Sequence, residues 1–378
     1  MPDLGPNREL IGRRGSRAAL MTPALIVDLD ALERNIARMA EYGAGRGVSL
    51  RPHAKTHKSV RIARMQVAAG AQGVSVATLG EAEVMARAGI AGVLLTSPVV
   101  TPAKIDRLVA LDRDAEGLMV VADHPDNVAA LARAAAGGRR LEVVCALDLG
   151  GNRIGAVDPD AAVALAKRIA GADTLEFAGV HAYAGPLQHI ADYRERRRLA
   201  NIASSRVADL RNKLHAAGLS PPMISGVGTG THDIDARDGP YTELQVGSYV
   251  FTDVEYNAVA LREDAPQPFE PSLFVRTTVI SANLDGFVTT DAGLKRFATD
   301  SVLPEIAAGA PAGATYSFKG DEHGRVTFAE PGQTLPLGAA VECLTPHCDP
   351  TVNLYDLYHV VRGDTLVDIW PVDARGAI

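Results

Sequence analysis

From about residue 45 to 250 the chain alternates short apolar runs with amphipathic stretches, each separated by a turn. The apolar runs are Val48–Arg51, Gly73–Ala77, Val93–Thr96, Leu118–Ala122, Leu141–Leu147, Phe177–His181, Met223–Ser225 and Leu244–Val246. Most are β-branched or almost continuously apolar, the pattern of strands covered on both faces. Stretches of helical length and period lie between them: Leu79–Ala88, Pro102–Leu111, Pro125–Ala136, Pro159–Ala170 and the longest, Ile190–Ala217, with Gly218 placed as a C-terminal cap. Pro102, Pro125 and Pro159 stand where a first helical turn tolerates proline. Eight strands alternating with seven or eight helices predict a parallel sheet built from βαβ crossovers. An eight-stranded (β/α) barrel fits the count better than an open doubly wound sheet, so the predicted fold class is α/β.

After about residue 255 the pattern changes. Pro266, Pro268 and Pro271 mark a linker. Beyond it, Leu273–Ile280, Gly286–Thr290, Thr315–Lys319, Arg325–Ala329, Ala339–Leu344, Tyr358–Arg362 and Leu366–Ile369 read as strands between glycine and proline turns. They predict a second, mostly β domain. Near the start, Ala24–Leu29 reads as a strand, and Asp30 with Glu33 as a capping box opening a helix Ala31–Tyr42. The expected division is a barrel over residues 30–255 and a β domain made of residues 1–29 and 256–378.

Composition narrows the function classes. The chain has 378 residues, with 38 Lys+Arg against 45 Asp+Glu and a net charge of −7, which argues against a nucleic-acid partner. Cys145, Cys343 and Cys348 are too few for a disulfide scaffold and lack C-x-x-C spacing. No apolar run approaches the roughly 18 residues of a membrane span. The first twenty residues, with Arg8, Arg13, Arg14 and Arg17, lack the apolar core of a signal peptide. The expectation is a soluble, cytoplasmic protein with no membrane partner.

Three clusters carry candidate chemistry. Arg51-Pro52-His53-Ala54-Lys55-Thr56-His57-Lys58 follows the first barrel strand, at the end where barrels place active sites. Strand alternation puts Arg51, His53 and Lys55 on one face. Neighbouring cations should lower the Lys55 pKa and favour a nucleophilic amine for Schiff-base chemistry. On these residues alone, a solvated basic turn or an anion site fits as well. Ser225-Gly226-Val227-Gly228-Thr229-Gly230-Thr231 follows the seventh strand, where barrel loops often bind phosphate, and Gly247-Ser248 can add donors. In Pro346-His347-Cys348-Asp349-Pro350, an extended backbone would put His347 and Asp349 on one face and Cys348 on the other. That is a two-ligand site open to water and substrate, or else a surface turn bracketed by prolines. Asp321-Glu322-His323 offers outer partners, while Arg153 and Tyr183 stand at the fifth and sixth strand ends.

Together these motifs resemble one family. RPHAKTHK at Arg51–Lys58, SGVGTG at Ser225–Gly230, YTELQVGSY at Tyr241–Tyr249, DAGLK at Asp291–Lys295, DEHG at Asp321–Gly324 and PHCDPTVNLY at Pro346–Tyr355 occur in the order found in the D-threonine aldolase and D-serine dehydratase group. These are pyridoxal-phosphate enzymes with an alanine-racemase type of barrel and a β domain. The resemblance implies that Lys55 forms the Schiff base with pyridoxal 5'-phosphate, and that Lys58, at the start of the next helix, does not. It implies a phosphate cradle of Gly228, Thr229, Gly247 and Ser248, with Arg153 and Tyr183 flanking the ring. It implies a divalent metal on His347 and Asp349, with Mn²⁺ or Mg²⁺ favoured over Zn²⁺. It also implies a homodimer acting on a small D-amino acid. The dehydratases resemble His-x-Cys at the metal pair, whereas here the residue two after His347 is Asp349. The implied activity is therefore metal-dependent cleavage of D-β-hydroxy-α-amino acids, D-threonine giving glycine and acetaldehyde. The alternatives are a D-serine or D-threo-3-hydroxyaspartate dehydratase, and a β-hydroxyaspartate aldolase. Ser75-Val76-Ala77-Thr78 departs from several aldolases of the group in lacking a Gln-Lys pair.

Overall fold

The structure, a computed structural model, describes residues 4–378. After β1 (Ala24–Asp28) come the eight barrel strands: β2 (Ser49–Leu50), β3 (Ser75–Val76), β4 (Leu94–Leu95), β5 (Met119–Ala122), β6 (Leu141–Asp148), β7 (Leu175–Tyr183), β8 (Ile224–Gly226) and β9 (Glu243–Leu244). They form one parallel sheet in the order β2-β9-β8-β7-β6-β5-β4-β3. The remaining seam between β2 and β3 is closed by a bridge of His53 to Ser75 and by the Ser75 N–H, which donates to the Pro52 carbonyl at 2.8 Å. The predicted barrel is therefore present, and its strands fall within a few residues of the apolar runs. Those runs are legible because helices cover the outer face while Leu94, Met119, Val121, Val144, Ala146 and Met223 fill the inner one.

The helices begin where short polar residues satisfy their first N–H groups. Thr78 and Glu81 make a full capping box for Leu79–Arg87, and Asp158 caps Pro159–Ala170. Gly218 takes φ +76° just beyond Tyr193–Ala216, as a terminating glycine should. The first helix differs from expectation. It runs Leu29–Arg46, and its cap is Asp28, which accepts the Ala31 N–H at 3.1 Å. Asp30 and Glu33 make no capping box because both carboxylates turn outward to Arg362.

The second sheet adds β10 (Leu273–Ser281), β11 (Phe287–Thr290), β12 (Glu305–Ala308), β13 (Thr315–Phe318), β14 (Gly324–Thr327), β15 (Ala340–Leu344), β16 (Leu357–Arg362) and β17 (Thr365–Pro371). The early strand β1 lies inside this sheet, antiparallel to β10 and parallel to β16. Sequence reading missed β12. It is a mostly exposed strand paired only with β15 across a register shift, so it carries no apolar alternation.

The barrel floor is polar. Arg51 and Glu243 are almost fully buried and pair through two contacts, Nε–Oε1 and Nη2–Oε2, both 2.9 Å. Arg51 Nη1 also donates to the Gln72 and Gly92 carbonyls, and Ser225 Oγ donates to Glu243 at 2.6 Å. Breaking a buried pair by removing one partner costs about 3–5 kcal/mol, since the other charge stays desolvated. Glu243→Ala should destabilise the protein by about that much in chemical denaturation. A loss below about 1 kcal/mol would show that Arg51 finds other compensation.

Candidate active site

A cavity of about 360 Å³ opens at the C-terminal ends of the barrel strands. Lys55 and Thr56 reach it from the turn after β2, Arg153 from beyond β6, Tyr183 from the end of β7, and Gly228 and Thr229 from beyond β8. Gly247 and Ser248 enter after β9, and His347 and Asp349 arrive from the β domain. Every site residue expected from the sequence lines this one cavity. Asp321-Glu322-His323 does not: Asp321 and Glu322 pair with Lys295 at 3.4 and 2.8 Å on an exposed turn.

The His347–Asp349 segment is not the extended strand expected. His347 has φ −136° and is the last extended residue before a short helix, Cys348–Val352. Pro350 sits in that helix's first turn, where proline is tolerated, and Thr351 Oγ1 donates back to the His347 carbonyl at 2.8 Å. The bend still delivers both side chains to the cavity while burying Cys348. The Cys348 N–H donates to Asp253 Oδ2 at 2.8 Å, and its Sγ lies 3.4 Å from Asp349 Oδ1. Burial, together with Asp253 and Asp349, pushes the Cys348 thiol well above its usual range, so it stays neutral.

Lys55 Nζ pairs directly with Asp349 Oδ2. This corrects the expected depression of the Lys55 pKa. Burial opposes its charge, but the Asp349 carboxylate outweighs burial and holds the ammonium above the ordinary lysine range. Reciprocally, burial works against the Asp349 carboxylate, while Lys55 and His347 pull it below the usual range. The supposed crowd of cations does not exist. Arg51 points into the barrel floor, and burial keeps His53 well below its ordinary value and lowers His181 to about 4.

Around this pair stand two histidines. His347 Nδ1 bonds Asp300 Oδ2 at 2.7 Å, and although burial disfavours its charge, Asp349 and Asp300 raise its pKa overall. His189 packs on Tyr256 with ring centroids 4.6 Å apart and lies 6.4 Å from the His347 ring. Its Nδ1 is 3.6 Å from Glu255 Oε2, and burial lowers its pKa. Sequence reading missed His189 and Tyr256. Their only signal was position, in the segments after the sixth and last barrel strands.

The cradle is built from two one-turn helices, Thr229–Thr231 and Ser248–Val250. The Tyr249 N–H donates to Thr229 Oγ1 at 3.1 Å and ties them together. A Cβ at Gly247 would lie 2.6 Å from Thr56 Oγ1, and one at Gly228 would strike Gln188 Oε1. Only glycine leaves room there for backbone N–H groups to face an anion. Opposite, Arg153 lies over the Tyr183 ring, 5.6 Å from its centroid. An amine, an N–H cradle and a ring-flanking pair fit pyridoxal phosphate. For a metal, His347 Nε2 and Asp349 offer two donors, with Asp300 orienting the imidazole as outer carboxylates do. Among the described residues no group of three or more His, Cys, Asp or Glu converges. No helix of the described residues is long and apolar enough to cross a membrane.

Residues 27–254 match the family described as "Alanine racemase, N-terminal domain", and residues 272–361 match "Putative serine dehydratase domain". The 3-hydroxy-D-aspartate aldolase of Paracoccus denitrificans (strain Pd 1222) is 38% identical over 363 residues, covering 94% of this chain and 92% of that protein. The D-threonine aldolase of Arthrobacter sp is 38% identical over 361 residues, covering 95% and 94%. The crystal structure of D-threonine aldolase from Filomicrobium marinum superposes with a TM-score of 0.91 at 38% identity, covering 96% of this chain and 97% of that one.

The Lys55–Asp349 pair makes a pH prediction. Removing the carboxylate takes away the main support of the Lys55 ammonium against burial, so in Asp349→Asn the Lys55 pKa should fall. Competitive acetylation of the cofactor-free protein, read by peptide mass spectrometry, should move the Lys55 labelling midpoint to lower pH. An unchanged midpoint would show that Asp349 does not control this amine.

Proposed function

The chain belongs to the alanine-racemase-fold family of pyridoxal-phosphate enzymes, in the group of the D-threonine aldolases and D-serine dehydratases, and from that membership we propose a metal-assisted aldolase that splits D-β-hydroxy-α-amino acids such as D-threonine. The observation that carries this reading is Asp349 beside Lys55 and His347 at the cavity, with Cys348 buried and neutral behind them. The acidic oxygen donor, rather than a thiolate, distinguishes this site from the His-x-Cys pattern.

Bound pyridoxal phosphate supplies an electron sink for the charge left on Cα when the Cα–Cβ bond breaks. His347 and Asp349 would hold a divalent ion, which would supply Lewis acidity when bound, and the carboxylate would favour Mn²⁺ or Mg²⁺ over Zn²⁺. The chain's own residues do the rest. Lys55 provides the amine that holds the cofactor, and the N–H groups around Gly228, Thr229, Gly247 and Ser248 receive its phosphate. Arg153 and Tyr183 flank the ring.

His189, its pKa lowered and its Nδ1 3.6 Å from Glu255, takes the β-hydroxyl proton at Nε2. Tyr256 packs against its ring. A second substrate carboxylate, as in β-hydroxyaspartate, would meet the Asp349 carboxylate at the cavity. That favours substrates with a neutral β-substituent. Family membership also supports a homodimer.

Incubation with D-threonine should release glycine and acetaldehyde, and chelation should remove the activity until Mn²⁺ or Mg²⁺ is restored. Release of 2-oxobutanoate and ammonia alone would overturn the aldolase reading in favour of the dehydratase. His189→Asn should lower kcat by about 10²-fold while leaving cofactor absorbance intact, the scale of one general base. Full activity in that variant would transfer the proton step to another group.

A further inference from the structure

Lys58, three residues after Lys55, is the second lysine of the basic motif, and it does not line the cavity. Nor does it open a helix, since the next helix begins at Val60. It sits at φ 49°, a left-handed conformation that strains a residue with a Cβ and persists only where the surroundings enforce it. Both backbone groups are committed. Its N–H donates to the Ala54 carbonyl at 2.7 Å, closing the turn that carries Lys55, and its carbonyl accepts the Ala374 N–H at 2.9 Å.

The side chain, 15% exposed, places Nζ 3.0 Å from Asn353 Oδ1 and 3.3 Å from Glu81 Oε1. Each partner leads back to the site. Asn353 ends the helix Cys348–Val352 that presents Asp349. Glu81 is buried, and its Oε2 accepts the N–H of cavity-lining Ala77 at 2.7 Å. One ammonium therefore joins the Lys55 turn, the cap after β3 and the β-domain helix, three segments distant in sequence.

We propose that Lys58 is a positioning residue that holds the Lys55 amine in register with Asp349 by clamping these three segments together. The inference rests on the reading of Lys55 and Asp349 as site residues. A merely structural Lys58 would neutralise Glu81 and nothing more, and the two roles separate experimentally.

The test uses Lys58→Met, Lys58→Arg and the double variant Lys58→Met/Glu81→Gln. Pyridoxal phosphate binding to cofactor-free protein is measured by absorbance, the bonded lysine is identified by borohydride capture, and thermal melting serves as the control. Lys58→Met should bind the cofactor about tenfold more weakly and lose about tenfold in kcat, with KM changed less than about twofold. Lys58→Arg should recover most of both. The double variant, relieved of a buried unpaired carboxylate, should regain the melting temperature but not the cofactor affinity, and it decides the matter even if the single Met variant does not fold.

Recovery of both quantities in the double variant, or a Lys58→Met protein altered only in melting, overturns the proposal. Capture at a lysine other than Lys55 in the unaltered chain overturns the functional reading, and this inference with it.

Discussion

The attraction between the Lys55 ammonium and the Asp349 carboxylate crosses from the barrel to the β domain, and the site is organised around it. Desolvation works against each charge, and each offsets it for the other. Paired, each keeps the other ionised, and the pair dictates how the helix Cys348–Val352 sits against the turn after β2. Contacts around it follow the same alignment. Tyr358 Oη donates to the His57 carbonyl at 2.6 Å, and Asp373 Oδ2 accepts the Val60 N–H at 2.7 Å. The β domain is thus the wall that completes the barrel mouth as well as an appended sheet.

Beneath the cavity a polar chain supports the floor. Glu243, held by Arg51, accepts from Ser225, which accepts from Gln245 Nε2 at 2.9 Å. The same amide nitrogen lies 3.1 Å from His181 Nδ1. The carboxylate paired with Arg51 sets the direction of the chain: Ser225 donates to it, and Gln245 donates to Ser225 and to His181. The imidazole at the cavity floor is then neutral with its proton on Nε2, in keeping with its lowered pKa. Charges buried in a barrel interior are affordable here because each donor finds an acceptor.

Much of this was readable from residue order. Strands β2 to β9 announced themselves because burial on both faces demands apolar runs, and Pro159–Ala170 because Asp158 and Pro159 mark its start. Where two short acidic residues competed for one helix start, local pattern chose Asp30, but Arg362 from 332 residues away captured it. The lysine, the glycine turns and the His347–Asp349 pair were legible as motifs. His189 and Tyr256 were not, because a lone loop histidine and a lone tyrosine acquire meaning only from what packs against them.

By itself, then, the sequence determined the alternation of strand and helix, the residues available for chemistry, and their assignment to strand ends. These follow from periodicity and caps, which act over a few residues. Tertiary structure alone decided the charge state of Lys55, reversing the expectation drawn from its neighbours. It also decided that His347 and Asp349 face the cavity from the start of a helix rather than from a strand. The reason is the range of the forces involved. Burial and the Coulomb field at a side chain are set by whatever the fold brings near, and for Lys55 that is a carboxylate 294 residues along the chain.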